Sequence, residues 1–390
     1  MLIFRVRFLL SVILLPVMVV MSVFARIVPT KQNLWIFGSG SGQTYEGNAK
    51  ALFRYATDKD QVQAVWISRN PEIVNQIRAE GGKAYTLHSL AGIYYVLRGD
   101  VTFLTHGNFD VSRWLIGGST IVQLWHGNPI KRIKNDARSE SVSALDKVRD
   151  WLIPEWDYVV STCDGPTATV LCSALDIPRN KILTLGYPRN DILAGNEFLA
   201  TGVPNGMNPN TRKETVILYM PTYRRFNSSF EIKSVLTEPT LEICLSEHDA
   251  KFYVSLHPYS KLPNEPLQSD RIHILDQDTD IYQFMKIADI LITDYSSAYI
   301  DFLLTGKEVM FYAPDLAQYI ENRGFYYPYE DVTPGPVVDS TKTLVEELNI
   351  ILDKTSTRSP EYESVRRMYH VHTDDNSCDR VYEYFIMENS

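Results

Sequence analysis

Cysteine is scarce in this chain, and the few that occur lie far apart. The 390 residues contain four, Cys163, Cys172, Cys244 and Cys378, with no CxxC pair and no metal-ligand spacing. A chain of this length buries enough surface to fold without disulfide staples, so isolated thiols fit a reducing compartment. The eight histidines form no HExxH and no paired zinc pattern, so no structural metal is expected. Positive charge is in deficit as well: 38 Lys and Arg stand against 47 Asp and Glu, a net charge of -9. That balance argues against a protein that wraps nucleic acid and confines any phosphate site to a local basic pocket. Internal repeats and low-complexity tracts are missing too. With 45% hydrophobic residues, 23 Tyr and 6 Trp, the composition is that of a packed globular protein.

Between Arg7 and Arg26 run eighteen residues without a charge, FLLSVILLPVMVVMSVFA. As a helix they cover roughly 27 Å, slightly less than a bilayer core of about 30 Å. A cleaved signal peptide, a single-pass anchor and a helix bent at Pro16 that dips into one leaflet all answer to this pattern. The unpaired cysteines favour a retained anchor or re-entrant helix, making residues 1–30 a membrane-associated segment. Basic residues on both flanks, Arg5 and Arg7, then Arg26 and Lys31, also suit a helix lying on an anionic surface.

From Leu34 onward, short apolar runs close in polar or glycine-containing turns. Leu34 to Phe37 ends in GSGSG, Val101 to Leu104 in THGN, Ile121 to Leu124 in WHGNP, Tyr158 to Val160 in STCDG, and Ile182 to Leu185 in GYPRND. The stretches between, such as Glu46 to Thr57 and Pro71 to Ala79, have helical length and pattern. This alternation predicts a doubly wound domain over residues 31–199. Ala200 to Arg212, ATGVPNGMNPNTR, has the composition of a linker. The pattern then restarts over residues 213–390, with Thr215 to Tyr219 ending in MPTYRR, Phe252 to Leu256 in HPYS, Ile290 to Ile292 in TDYSS, and Val309 to Phe311 in YAPD. The expected class is α/β: two β-α-β domains facing a cleft, the GT-B architecture of many nucleotide-dependent transferases.

Ligands of parallel sheets sit beyond the carboxyl ends of the strands, where helix N-termini attract phosphate. Ser296 and Ser297 stand at such an entrance, although Thr293 or Asp294 as a simple N-cap explains the same residues. His126, between a strand and Gly127, is held where an imidazole can take a proton, and a structural histidine fits that position equally. His257 precedes Pro258 in a common turn dipeptide. Lys131, Arg132 and Lys134 read as a solvated face or, together, as an attraction for anions. GSGSG misses the GxGxxG spacing and reads as a flexible loop, with Tyr45 and Asn48 opening the next helix. His88, His106, His248, His273, His370 and His372 carry no motif.

The ordered runs DYSS, VMFYAPDLAQY and RGFYYPYEDVTPGP, all between Ile290 and Pro336, resemble the CDP-glycerol glycerophosphotransferase family, which builds teichoic-acid-like poly(glycerol phosphate). WHGNP is similar to that family's WHGTP, with Asn128 in place of threonine, and Pro221-Thr222-Tyr223-Arg224 to its PTWR. The resemblance spans about residues 33 to 385 and is weakest from 50 to 100. It implies that His126 is the general base and that His257 is a second imidazole near the donor phosphates. Ser296, Ser297, Thr222, Arg224 and Arg323 become candidate phosphate contacts, with Gly127 and Asn128 in the substrate turn and Asp294 ordering the serine loop.

The activity implied is transfer of glycerol phosphate from CDP-glycerol to a hydroxyl of a membrane-linked glycan or polyol phosphate, releasing CMP. The resemblance calls for no cofactor and no nucleic acid, and it places the body at the cytoplasmic face of the membrane. The lack of a further large domain leans toward priming or limited transfer. CDP-ribitol is an alternative donor. A GT-B sugar-nucleotide glycosyltransferase and a non-enzymatic membrane-anchored binding protein are further alternatives, the last having no need of either histidine.

Overall fold

A computed structural model of the chain describes residues 19–137, 153–195, 207, 212–222, 224, 228–256, 269–277, 279–354 and 359–388. Among them the strands form two sheets. The first holds β1 (Leu34–Phe37), β2 (Gln63–Ser68), β3 (Ala84–Thr86), β4 (Val101–Leu104), β5 (Thr120–Gln123), β6 (Tyr158–Ser161) and β7 (Ile182–Thr184), in the order 3-2-1-4-5-6-7. The second holds β8 (Thr215–Met220), β9 (Ala250–Val254), β10 (Ile272–Ile274), β11 (Ile290–Thr293), β12 (Glu308–Tyr312) and β13 (Val337–Val338), in the order 10-9-8-11-12-13.

All named pairings are parallel. Runs such as LWIF and ILIT are buried at every position because helices cover both faces. The helices follow local rules: Pro71–Ala79 begins with proline, the Asn70 side chain accepts the Glu72 N–H, and Ile73, Val74 and Ile77 form the buried face. Strand order reverses between β1 and β4 and again between β8 and β11, which puts a ligand crevice at the carboxyl end of each sheet. This is the two-sheet α/β fold expected.

The first core packs Trp35, Phe37, Phe53, Trp66 and Phe103 with Tyr382 and Phe385. The last two come from the final helix, Ser377–Glu388, which therefore returns to the first sheet, although the reading by pattern kept residues 213–390 together. Asp191 holds its start, accepting the Ser377 and Cys378 N–H groups at 2.8 and 2.7 Å. Much of the expected linker lies outside the described residues, and Met207 packs into the second core.

Residues 1–18 of the apolar N-terminal segment also lie outside the described residues. Residues 19–27 are helical, with Ser22 and Ala25 buried and Val20, Val23, Phe24 and Ile27 exposed. Among the described residues, no helix is long and apolar enough to cross a membrane.

The two sheets are tied together beside the crevice. Asp301, fully buried, accepts from Arg189 Nη2 at 2.7 Å, Tyr282 OH at 2.6 Å, and the side-chain amides of Asn128 and Asn190 at 3.3 Å each. Lys50 pairs with Asp280 at 3.1 Å. Residues 130–132 run antiparallel to 324–326, with Arg132 N–H on the Gly324 carbonyl and Tyr326 N–H on that of Ile130. Removing one partner of a buried pair strands the other charge. Asp301→Ala should therefore lower unfolding free energy by about 3–5 kcal/mol, read from the denaturant midpoint at unchanged slope.

Candidate active site

The turn after β5 is strained where its function would lie. Trp125 adopts φ 59° and Gly127 φ 145°, left-handed values that a non-glycine residue keeps only when its surroundings impose them. Asn48, buried in the helix Gly47–Thr57, supplies part of that constraint by donating its amide to the carbonyls of Leu124 and Trp125 at 3.0 and 2.9 Å. Between these two residues, His126 opens to solvent at the crevice. Its Nδ1 lies 2.9 Å from the Thr105 carbonyl, which can only accept, so the neutral ring carries its proton on Nδ1 and presents an unprotonated Nε2. Although part of the residue reaches solvent, burial of the rest of the ring, then the neighbouring His106, lowers its pKa to about 4.

Across the crevice, the turn after β11 is organised by a carboxylate. Asp294 is buried and accepts the Thr222 N–H with both oxygens, at 2.9 and 3.0 Å, and Arg224 Nη1 at 2.8 Å. Arg224 is then held in a fork by Asp315, at 2.8 Å from Nε and 2.9 Å from Nη2, and lies over the Tyr295 ring. Arg224, expected as a phosphate contact, pairs here with two carboxylates. Asp294 likewise holds the loop and meets no open space. Thr222 Oγ1 is buried and finds no partner among the described residues.

Ser296 accepts the Ala298 N–H through its hydroxyl, and Ser297 precedes the short helix Ala298–Phe302. The two turns touch: a Cβ added to Gly127 would lie 3.2 Å from Ser297 Oγ and 3.3 Å from Arg189 Nη2. Asn128, expected at the substrate, is fully buried beneath the turn. Its Oδ1 accepts from Thr162 and Thr167, both at 2.7 Å, while its Nδ2 donates to Asp301. In that position its hydrogen bonds support the His126 turn from below. His257 lies outside the described residues. Arg323 is exposed at the end of the helix Leu316–Arg323.

Lys131, read from the sequence as part of a solvated face or of a group attracting anions, has a more specific setting in the structure. Pairing with Phe325 carries it into the second half, 6.0 Å from the Tyr319 ring. Burial lowers its pKa to about 8, with Asp294 opposing and Arg323 and Arg224 assisting the shift. A cation placed among like charges, with no carboxylate in ion-pair reach among the described residues, is suited to meet an anion. His106 was left without a motif. Its ring stacks on that of His126, centroids 4.6 Å apart and planes 7° from parallel. The signal was available, since THGN and WHGN both end strands and neighbouring parallel strands bring their ends together.

The family model described as CDP-glycerol:poly(glycerophosphate) glycerophosphotransferase matches residues 20–387. A teichoic acid glycerol-phosphate transferase of Staphylococcus aureus is 30% identical over 88% of this chain and 89% of its own length. A teichoic acid ribitol-phosphate primase of Bacillus spizizenii is 28% identical over 78% and 79%. Among solved structures, that of the wall teichoic acid polymerase TagF superposes with a TM-score of 0.72, at 20% identity, over 99% of this chain and 97% of that one.

The environment of His126 can be read directly by titrating the histidine ring signals by NMR, with His126→Ala assigning the resonance. In the free protein its midpoint should lie near pH 4, the ring staying neutral through pH 6.5. A midpoint at 6.5 would contradict the described environment.

Proposed function

Because the chain belongs to the CDP-glycerol:poly(glycerophosphate) glycerophosphotransferase family, we propose that it transfers glycerol phosphate from CDP-glycerol to a hydroxyl of a membrane-linked glycan or polyol phosphate. What carries the proposal is the meeting of two turns: Gly127 beside His126 packs on Ser297 at the entrance of the β11 helix. A base and a phosphate-binding turn from different sheets thus share one crevice.

The acceptor oxygen attacks the phosphorus that bears glycerol, and His126 Nε2 takes its proton. The bond from that phosphorus to the bridging oxygen breaks, and CMP leaves with the electron pair. A base of pKa about 4 is weak, but the pyrophosphate of a bound donor favours the imidazolium and strengthens the base once the donor is in place. Lys131 and Arg323 offset the donor charge, Ser296, Ser297 and the unpartnered Thr222 hydroxyl hydrogen-bond its oxygens, and His257 keeps the role that the resemblance implies. Positioning and charge stabilisation are most of what phosphoryl transfer asks of a protein.

The exposed Val20, Val23, Phe24 and Ile27, with Arg26 beside them, support attachment of the N-terminal helix to a membrane surface. Free thiols and a nucleotide donor support a body on the cytoplasmic side. A relative named for ribitol phosphate makes CDP-ribitol the second donor to test.

Purified protein given CDP-glycerol and a membrane lipid extract should release CMP, and His126→Ala should lower turnover by about 10²–10⁴-fold. Lys131→Ala should raise KM for the donor by about tenfold or more, the loss expected for a hydrogen bond to a charged group. CMP from CDP-ribitol alone would change the donor, and no CMP from either would contradict the proposal. The acid limb of kcat/KM, which reports the free enzyme, should fall near pH 4, and that of kcat at a higher pH, activity rising with pH through each.

A further inference from the structure

We propose that His106 is a second catalytic residue of this reaction, donating a hydrogen bond from Nε2 to a non-bridging oxygen of the phosphoryl group under attack. The assignment rests on the transferase reading above and adds to it a group that neither motif nor resemblance singled out.

The tautomer follows from the neighbours of the ring. The Gly40 backbone N–H, which can only donate, points to His106 Nδ1 at 3.3 Å, and the Thr105 hydroxyl, which can donate as well as accept, lies 2.9 Å from the same nitrogen. Nδ1 is therefore an acceptor, and the proton sits on Nε2. Among the described residues, no protein group takes that proton, and the ring is exposed at the crevice. His126 has the opposite arrangement, its Nδ1–H on the Thr105 carbonyl and its Nε2 bare. Two parallel imidazoles 4.6 Å apart thus offer the crevice one acceptor and one donor. A hydroxyl about to lose a proton needs the first. A phosphoryl oxygen gaining charge needs the second, and the spacing lets one reacting centre meet both.

The loop that carries His106 is built to hold it still. Asp110, buried, accepts the backbone N–H groups of Thr105, His106 and Gly107 through one oxygen, at 2.8, 2.7 and 3.3 Å, and that of Ser41 through the other at 2.7 Å. The same carboxylate therefore fixes the His106 turn and the GSGSG turn that sets its tautomer, so the latter is a tethered support, not the flexible loop its composition suggested. Donors fixed before the reaction stabilise developing charge without reorganising. His106 exchanges no proton, so the step balances as written above.

The test uses the full-length protein with CDP-glycerol and a membrane lipid extract, comparing wild type, His106→Ala, His106→Gln and His126→Ala for kcat, KM and thermal midpoint. His106→Ala should lose about 10²-fold in kcat with little change in donor KM or midpoint. His106→Gln, whose amide still donates, should recover part of that loss. Wild-type kcat in His106→Ala, or equal losses in Ala and Gln that follow a lowered midpoint, would overturn the proposal. Wild-type turnover in His126→Ala would instead sink the base assignment, and the two His106 variants would still decide this one.

Discussion

The buried carboxylate of Asp301 is the point on which the rest of the site depends. It receives Arg189 and Asn190 from the turn after β7, Asn128 from beneath the His126 turn, and Tyr282 from the second half. Taking such charges out of water costs several kcal/mol per ion, so the pair is weak evidence of extra stability. What it supplies is register: the amide of Asn128 reaches Asp301 only when both sheets are docked in one position. Asn128 donates to Asp301 from Nδ2 and accepts two threonine hydroxyls at Oδ1, spreading over two atoms what the threonine of the related motif has only one oxygen to do. Its departure from the family pattern becomes a statement about support beneath the base.

Charge in the crevice is divided between groups that cancel and groups that remain. Asp294, Arg224 and Asp315 cancel among themselves and set the shape of the turn after β11. In the proposed reaction Lys131 and Arg323 remain for the anion. A chain with a net charge of -9 attracts a nucleotide only through such a local excess. Lys131 reaches the excess because residues 130–132 cross to pair with 324–326, so one crossing both joins the halves and delivers the cation.

Much of the fold was legible because apolar runs and turns alternate without ambiguity. β1 at Leu34–Phe37 and the helix Pro71–Ala79 begin and end where the pattern puts them. The final helix was not: its apolar face says that it packs, not on which sheet, and its partners Trp35 and Phe103 lie far away in sequence. At the site, residue type and position relative to a strand end singled out His126 and the serine turn as candidates. They could not show the pairing of Arg224 with Asp315, which stands 91 residues away, or the burial of Asn128, which cannot be read from a turn motif. They missed His106 because its meaning lies in a stack across adjacent strands.

Attack of an acceptor oxygen on phosphorus is the step on which the proposed function turns. An acceptor whose hydroxyl carries oxygen-18, given CDP-glycerol and the enzyme, tests it through the phosphorus NMR signal of the product. The account predicts a phosphodiester whose phosphorus bears the heavy oxygen, with unlabelled CMP as the other product. A glycosidic product with no labelled phosphodiester, or a phosphodiester free of the label, would contradict it.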